Sequence, residues 1–218
     1  DTDVFTPLIK VISQQSGIDY EDKKYRLLPN QVKGGEKSNI AMRVIADHVR
    51  AVSLAIADGQ LPSNTGAGYV IRRILRRAVR YGYSFLDFHE PFIYKLVPIL
   101  ADQLKEAFPE LNQQMDYVGR VVHEEEKSFL KTLEGGLKRL DFFIHESEKS
   151  GIKIIPGDYA FELYDTFGFP LDLTSLIARE RGLSIDELGF NEEMQKQKSR
   201  SKSAAAKETG DFENTRDG

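Results

Sequence analysis

The sequence contains no cysteine among its 218 residues. Disulfide bonds and thiolate metal sites are therefore excluded, and this composition is typical of the reducing cytoplasm, where we expect the protein to reside. No apolar run approaches the roughly 20 residues needed to cross a bilayer, and no signal-peptide pattern is present, so we expect no membrane contact. The chain begins with Asp1 rather than methionine, which indicates a piece of a longer chain.

Several common enzyme motifs are missing as well. There is no Gly-x-Ser-x-Gly nucleophile motif and no Walker-type Gly-Lys-Ser/Thr loop. The pair Gly66 and Gly68 lacks a third glycine and follows no clear strand, so it is not a dinucleotide-binding fingerprint. Residues His123–Glu126 do not form His-Glu-x-x-His, and adjacent helical residues do not converge. We interpret the three glutamates as a solvated face rather than as a metal or acid–base site.

Charge is distributed unevenly along the chain. Hydrophobic residues make up 40% and charged residues 29%, as in a globular protein with a real core. The net charge of −4 argues against a general nucleic-acid binder. Between Arg43 and Arg80, however, seven arginines face only Asp47 and Asp58, which leaves a local balance of +5. A basic patch on an acidic body predicts a directed RNA surface.

The stretch 58–82 begins as a turn-rich loop and continues as a helix with two opposed faces. At 100° per residue, one half of this helix is apolar, with Val70, Ile71, Ile74, Leu75, Ala78 and Val79. The other half is basic, with Arg72, Arg73, Arg76, Arg77 and Arg80. Because no acid is interleaved with these arginines, the pattern favours a polyanion partner over a plain solvated face. The alternative is that the arginines pair with acids elsewhere in the chain.

Helical spacing of apolar residues continues through the rest of the chain. It predicts an all-α fold: an irregular helical domain with a long antiparallel helix hairpin and short C-terminal helices. Besides the arginine-rich helix, the predicted helices cover 1–17, 39–58, 90–107, 112–150, 158–168, 170–181 and 185–201. The hairpin pairs 90–107 with 112–150. Asp3, Ser38 and Ser184 are the predicted N-caps.

Three domains are predicted from this pattern. Residues 1–82 form a helical subdomain that carries the arginine-rich helix. Residues 83–200 form the hairpin and the C-terminal recognition helices, and residues 201–218 form a disordered polar tail. Residues 18–37 are polar, with Pro29, Gly34 and Gly35, and predict a mobile connection. Asp47 and His48, which lie on the second helix, are interpreted as a buried polar pair or a cap-like hydrogen bond.

Two long blocks carry a resemblance to a known family. The first block consists of 43–50, 56–59, 61–64 and 68–80, and the second is Phe161-Glu-Leu-Tyr-Asp-Thr-Phe-Gly-Phe-Pro-Leu-Asp-Leu-Thr174. Both closely resemble the alanyl-tRNA synthetase family, in the right order and at the expected distance. The resemblance extends from Asp1 to about Ser199. It matches the helical tRNA-recognition region between the class II catalytic core and the editing domain.

The resemblance implies that the parent chain is an alanine–tRNA ligase that uses ATP and Mg, with Zn in its editing domain. It implies the acceptor stem of tRNA-Ala as a partner, together with the parent's own catalytic and editing domains. The chain shows neither the antiparallel-sheet pattern nor the signature motifs of a class II catalytic core. We therefore expect no catalytic residue, no cofactor and no metal site within it.

The resemblance also implies which residues contact tRNA. Recognition of the G·U wobble pair of the acceptor stem falls to Asn64 and Asp165. The shallow minor groove of A-form RNA is accessible, and a wobble pair leaves the guanine amino group there as a free donor. A carboxylate accepts from it, and an amide both donates and accepts. Without the resemblance, Asn64 would be a turn residue and Asp165 a helix-end hydrogen-bonding residue.

Backbone contacts are implied for Gly66, Gly68 and the five arginines Arg72, Arg73, Arg76, Arg77 and Arg80. Ala67 stands where the family usually has arginine, so this loop lacks that side chain. Two other functions are compatible with the residues alone. One is a helical protein–protein interaction module that docks an acidic partner, and the other is a hydrolase that uses Asp47, His48 or the cluster His123–Glu126. Salt-dependent binding of a short RNA hairpin separates RNA recognition from the first alternative.

Overall fold

The computed structural model describes residues 4–20 and 35–213, with only the backbone described in 201–213. Within these ranges the chain forms nine α-helices, a 3-10 turn at Ile93–Leu96 and two short strands, so the fold is all-α as predicted. The helices are α1 Phe5–Ser16, α2 Gly35–Ala57, α3 Gly66–Leu86, α4 Val97–Leu104, α5 Pro109–Gln113, α6 Met115–Ser150, α7 Gly157–Phe167, α8 Leu171–Glu180 and α9 Glu187–Glu213. None of these described helices has the length and apolar character needed to span a membrane.

The chain divides into two compact units, Asp1–Glu134 and Gly135–Gly218. Helix α6 supplies residues to both of them. The domain boundaries predicted at residues 82 and 200 remain predictions.

Helix α2 lies at the centre of the first unit. It packs against α1, α3, α4, α5 and the 3-10 turn. Its buried apolar residues are Ala41, Met42, Ile45, Ala46, Val49, Val52 and Ile56. They are too many for one narrow stripe, and burial on several sides explains the pattern.

The start of α2 corrects a prediction. Ser38 does not cap the helix, because α2 already begins at Gly35. Ser38 is buried inside the helix and donates its hydroxyl to the Phe85 carbonyl at 3.2 Å. Helix α1 ends at Gly17 with φ of 68°, as predicted. The predicted cap Asp3 lies outside the described residues, as does most of the predicted connection 18–37.

Helix α3 extends further than predicted. Residues 83–86, which lie beyond the arginine-rich stretch 58–82, continue the helix to Leu86. It ends at Asp87, whose φ of 60° is left-handed, and the Phe88 N–H bonds back to the Gly82 carbonyl at 3.2 Å. The Phe88 ring packs on the Phe92 ring at 4.4 Å between centroids.

The predicted hairpin differs in its first arm. The range predicted as the helix 90–107 contains the 3-10 turn followed by the eight-residue α4. The range 112–150 is divided between the end of α5 and the long helix α6. Pro98 lies in the first turn of α4 and Pro109 begins α5, positions where the missing proline N–H is harmless.

The second unit joins its helices through a parallel strand pair that the sequence did not predict. β1 (Ile154–Ile155) pairs with β2 (Ser184–Ile185). Ser184 is thus a strand residue and not the predicted cap. The Asp186 carboxylate takes that role, because it accepts the Gly189 N–H at 3.0 Å.

The other boundaries in this unit are close to those predicted. Helix α7 ends at Gly168, with φ of 70°, and α8 follows Pro170. Helix α9 continues to Glu213, beyond the predicted end near Ser201, so the range predicted as a disordered tail begins within a helix. Residues 214–218 lie outside the described residues.

Gly136→Ala is expected to lower the free energy of unfolding by about 1–3 kcal/mol. A Cβ at Gly136 would lie 2.3 Å from Cε2 of Phe169, a ring that is fully buried. This clash exceeds the roughly 0.5–1 kcal/mol that alanine gains over glycine in a helix. Urea unfolding measures the change.

The neighbouring Gly135→Ala is the control. Its Cβ would meet only the half-buried Phe167 ring at 3.1 Å, a contact that a small shift of the ring relieves. We expect its stability to stay within about 1 kcal/mol of the original chain, since the helical gain offsets the contact. Equal stabilities of the two variants would contradict the packing argument.

Candidate nucleic-acid interface

The loop before α3 is organised by Ser63. Its hydroxyl donates to the Thr65 carbonyl at 2.8 Å, and its N–H donates to the Gly68 carbonyl at 3.0 Å. A Cβ on Gly68 would lie 2.2 Å from the Leu61 carbonyl oxygen, so this glycine is needed for the loop to fold onto α3. Gly68 is buried, and the close approach it permits is to its own chain rather than to a ligand. Gly66 is exposed, with φ of 57°.

Asn64 is exposed on this loop and contacts the first arginine of the basic half of α3. Nη1 of Arg72 donates to Oδ1 of Asn64. Nε of the same arginine lies 3.1 Å from Oε1 of Glu125 on α6. The loop, the helix and α6 are therefore joined by one chain of polar contacts.

Arg76 shares the same carboxylate. Its Nε and Nη2 lie 2.8 and 2.7 Å from Oε1 of Glu125, and its guanidinium stacks 5.0 Å above the Phe129 ring. The Glu125 side chain is only 10% exposed. For Arg72 and Arg76, the alternative interpretation therefore applies, in which arginines pair with an acid elsewhere in the chain.

Arg80 is a packed residue in this structure. It is 4% exposed, and its guanidinium lies 5.3 and 5.1 Å from the rings of Tyr81 and Phe85. It does not present its charge to solvent, so we assign it to packing rather than to a phosphate contact. Arg73 and Arg77 are half-buried.

Arg77 acts electrostatically on His48. Burial lowers the pKa of His48, and the positive charge of Arg77 acts in the same direction, while Asp47 opposes both. His48 Nδ1 lies 3.2 Å from Oδ2 of Asp47, and Arg50 donates to the other oxygen at 3.2 Å. Asp47 is 52% exposed, so the pair predicted here exists, but only its histidine is largely buried.

Glu126 corrects the interpretation of the three adjacent glutamates. It is 2% exposed, and its carboxylate accepts the N–H groups of Phe92, Ile93 and Tyr94 at 3.1, 2.9 and 3.0 Å. These N–H groups begin the 3-10 turn, where they have no helical partner. Burial raises the pKa of Glu126 to about 7, although the three hydrogen bonds act in the opposite direction. Only Glu124, with 72% of its side chain exposed, matches the predicted solvated face.

The sequence contained a signal for this arrangement. Glu126 follows Val122 by four residues and precedes Phe129 by three, so it lies on the apolar stripe of α6. Glu125 is one residue away, at the edge of that stripe. A carboxylate on a buried stripe predicts a specific partner, whereas three consecutive glutamates considered alone suggest only a polar surface.

Asp165, the other residue expected to recognise bases, lies in the second unit. It is exposed on α7, and the side-chain amide of Gln197 on α9 donates to its Oδ1. Asn64 belongs to the first unit. Across the described ranges of both units, no three His, Asp or Glu side chains are arranged to hold a metal ion.

An open groove of about 640 Å³ lies between the Asn64 loop and α6. It is lined by Leu61, Pro62, Tyr117, Arg120, Val121, Glu124, Glu125 and Ser128. Leu61 and Tyr117 are 45% and 40% exposed. Glu125, one of the residues that line the groove, also contacts Arg72, and Arg72 donates to Asn64.

Comparison with known proteins places these residues in context. The family model described as tRNA synthetases class II (A) matches residues 1–217. Alanine–tRNA ligase of Cytophaga hutchinsonii is 58% identical over 212 residues, which are 97% of this chain and 23% of the relative. Alanine–tRNA ligase of Porphyromonas gingivalis is 53% identical over 218 residues, which are 100% of this chain and 24% of the relative. The chain thus spans about a quarter of the length of the curated relatives it matches.

Proposed function

This chain belongs to the class II (A) tRNA synthetase family, and from that premise we propose that it is the tRNA-recognition part of an alanine–tRNA ligase. It binds the acceptor stem of tRNA-Ala, recognises the G·U wobble pair there, and presents the end of the tRNA for alanylation. The observation that carries the proposal is the exposed Asn64 amide held against the first arginine of α3. A basic helix supplies backbone affinity, and a fixed amide beside it supplies base recognition.

The reaction itself belongs, in this proposal, to the rest of the parent enzyme, in the cytoplasm. ATP and Mg serve a catalytic domain and Zn an editing domain, and both domains contact this chain as partners. The relatives named alanine–tRNA ligases are about four times as long as the matched region, which leaves room for such domains. That this chain contributes no catalytic residue to the reaction is likewise part of the proposal.

Backbone affinity is proposed to come mainly from Arg73 and Arg77. Both lie on the basic half of α3 and are half-buried, and in this proposal their guanidinium groups contact the phosphate backbone. Arg72 and Arg76 add positive charge beside them, partly neutralised by Glu125. Exposed Gly66 leaves the start of α3 open to a phosphate. Gly68 and Arg80 are structural.

Base recognition is proposed for Asn64 and Asp165. Each is exposed, and each is held by one hydrogen bond that fixes its side chain, from Arg72 and Gln197 respectively. A carboxylate accepts only, which suits the free amino group of the guanine in a wobble pair. Fixing the side chains before binding lowers the entropy lost when RNA docks.

A fluorescence titration with an acceptor-stem hairpin tests this function. We expect the G·U hairpin to bind about tenfold more tightly than its G·C counterpart, and Asn64→Ala or Asp165→Ala to remove most of that preference. Titrations at two salt concentrations measure the backbone contribution separately. Exposed Asp102, which pairs only locally with Lys105, is a matched control as Asp102→Ala and should keep the preference.

Each contrary outcome has a definite meaning. If both hairpins bind equally and salt weakens both, the role of the arginines of α3 in binding RNA is supported, and base recognition by this chain is rejected. Failure to bind either hairpin at low salt would reject the proposed function. Salt-sensitive binding of an acidic peptide in that case would support the helical protein–protein interaction module.

A further inference from the structure

Two arginines of α3 share one carboxylate of α6. Arg72 Nε, Arg76 Nε and Arg76 Nη2 lie 3.1, 2.8 and 2.7 Å from the same atom, Oε1 of Glu125. The side chains of Arg72, Arg76 and Glu125 are only 22%, 14% and 10% exposed. Nη1 of Arg72 also donates to Asn64, but that amide is neutral. These three charged side chains therefore carry one more positive than negative charge, in a place that water reaches poorly.

The groove beside Glu125 adds no net charge to this cluster. Arg120 and Glu124 line it with one charge of each sign. A charge that is poorly hydrated and incompletely paired is costly, and a second anion lowers that cost. The groove is open and measures about 640 Å³, so an anion can approach Glu125 and the arginine beside it from solvent.

Glu125 holds its two arginines unequally. Arg76 donates a hydrogen bond from Nε, and its guanidinium stacks 5.0 Å from the centre of the Phe129 ring. Nε of Arg72 is close enough to Glu125 for charge attraction, but it makes no hydrogen bond with any described residue. Charge-assisted hydrogen bonds are the stronger contacts. Arg72 is therefore the arginine that a competing anion draws away, whereas Arg76 stays with Glu125.

We propose that Arg72 is an exchangeable phosphate-binding residue: Glu125 occupies it in the free protein, and a phosphate of the RNA backbone takes the place of this carboxylate on binding. The inference rests on the proposed function and deepens it. A phosphate suits the position because it accepts two parallel N–H bonds from a guanidinium, and Arg73 and Arg77 are proposed to bind the same backbone. Glu125 thereby lowers the affinity of α3 for every phosphate backbone, whatever its sequence.

Removing the charge of Glu125 tests the exchange. We expect Glu125→Gln to tighten binding of the G·U and G·C hairpins equally, by about fivefold, because a partly exposed ion pair no longer has to be broken. Glu124→Gln makes the same charge change at an exposed residue that pairs with His123, and should alter affinity by less than about twofold. Unchanged or weaker binding by folded Glu125→Gln would overturn the inference, because a carboxylate that merely orders Arg72 acts in that direction.

The gain in affinity should depend on Arg72. In an Arg72→Gln background, Glu125→Gln should change the affinity by less than about twofold, because no guanidinium is then released. A gain that persists in full without Arg72 would mean that Glu125 acts only by general repulsion of RNA, and the exchange would be rejected.

Nuclear magnetic resonance of the original chain supplies a second measurement that needs no change at Glu125. The Nε–H signals of Arg72 and Arg76 are assigned by replacing each arginine with lysine. Saturation with the hairpin should shift the Arg72 signal strongly and leave the Arg76 signal nearly in place. An Arg72 signal that stays in place while the hairpin binds would contradict the exchange.

A titration with inorganic phosphate separates the two sources of the anion. At the phosphate concentration of the saturating hairpin, free phosphate should leave the Arg72 signal in place. A shift as large as that caused by the hairpin would overturn the assignment to the RNA backbone. Absence of any RNA binding by the original chain would overturn the proposed function, and this inference with it, whereas failure of the exchange alone leaves the preference for the G·U hairpin intact.

Discussion

Glu126→Ala is expected to lower the free energy of unfolding by about 3–5 kcal/mol at pH 5. The substitution leaves the N–H groups of Phe92, Ile93 and Tyr94 without their acceptor in a site that is 2% exposed. It also opens a cavity beneath the 3-10 turn. Urea unfolding followed by circular dichroism measures the change. Glu124→Ala, on the exposed side of the same helix, should change stability by less than about 0.5 kcal/mol.

The size of this effect should depend on pH. Burial raises the folded-state pKa of Glu126 to about 7 from 4.5. A raised pKa means that the folded state binds the proton more tightly, so the stabilisation is complete below pH 4.5 and is lost as pH rises through 7. Between pH 5 and pH 8 the difference between the original chain and Glu126→Ala should therefore shrink by about 2–3 kcal/mol. A difference that grows with pH would show that the three N–H bonds outweigh burial.

The sequence predicted best the elements that local patterns determine. Gly17 and Gly168 end their helices in the left-handed conformation, and Pro170 precedes α8, as their residue types require. The helix predicted at 39–58 lies within α2, whose many apolar residues are buried at the centre of the first unit. These features depend on residues close together in the chain, so the sequence alone carries the information.

Features that depend on distant contacts were missed. Ser38 can cap a helix in isolation, but its hydroxyl instead bonds to Phe85, 47 residues away. The β1–β2 pair joins segments about 30 residues apart, and two-residue strands have no periodicity to detect. Ser184 was therefore assigned a local role that Asp186 performs.

In the candidate site, too, local patterns were predicted from the sequence and contacts between distant residues were not. The opposed apolar and basic faces predicted a helix here correctly, but Val70 of the predicted apolar half is 41% exposed and Arg80 of the predicted basic half is 4% exposed. The sequence could not tell which arginines meet an acid, because Glu125 is 49 residues from Arg76. Long-range contacts hold Arg72 and Arg76 against Glu125 and bury Arg80 among aromatic rings, whereas Arg73 and Arg77 are half-buried.

This division makes the double substitution Arg73→Glu, Arg77→Glu the sharpest test of the RNA surface. Each reversal removes a cation from the proposed phosphate contact and adds an anion that repels the backbone. We expect affinity for the acceptor-stem hairpin to fall about 100-fold at low salt, with similar losses for the G·U and G·C forms. The dependence of log Kd on log salt concentration should flatten by about 2. Fluorescence titrations over a salt series measure both quantities.

A second double substitution, Lys127→Glu, Lys131→Glu, controls for net charge. Both lysines are exposed on α6, and at 100° per residue they lie about 200° and 240° around the helix from Glu125, away from the arginines. In the part of the salt series at about 0.1–0.15 M, affinity should fall less than about threefold, because charges beyond a Debye length of about 8–10 Å are then largely screened. Equal losses in the two double variants would mean that overall charge, and not the surface of α3, governs binding. Losses confined to the arginine variant would show that an acidic chain binds RNA through one helix face.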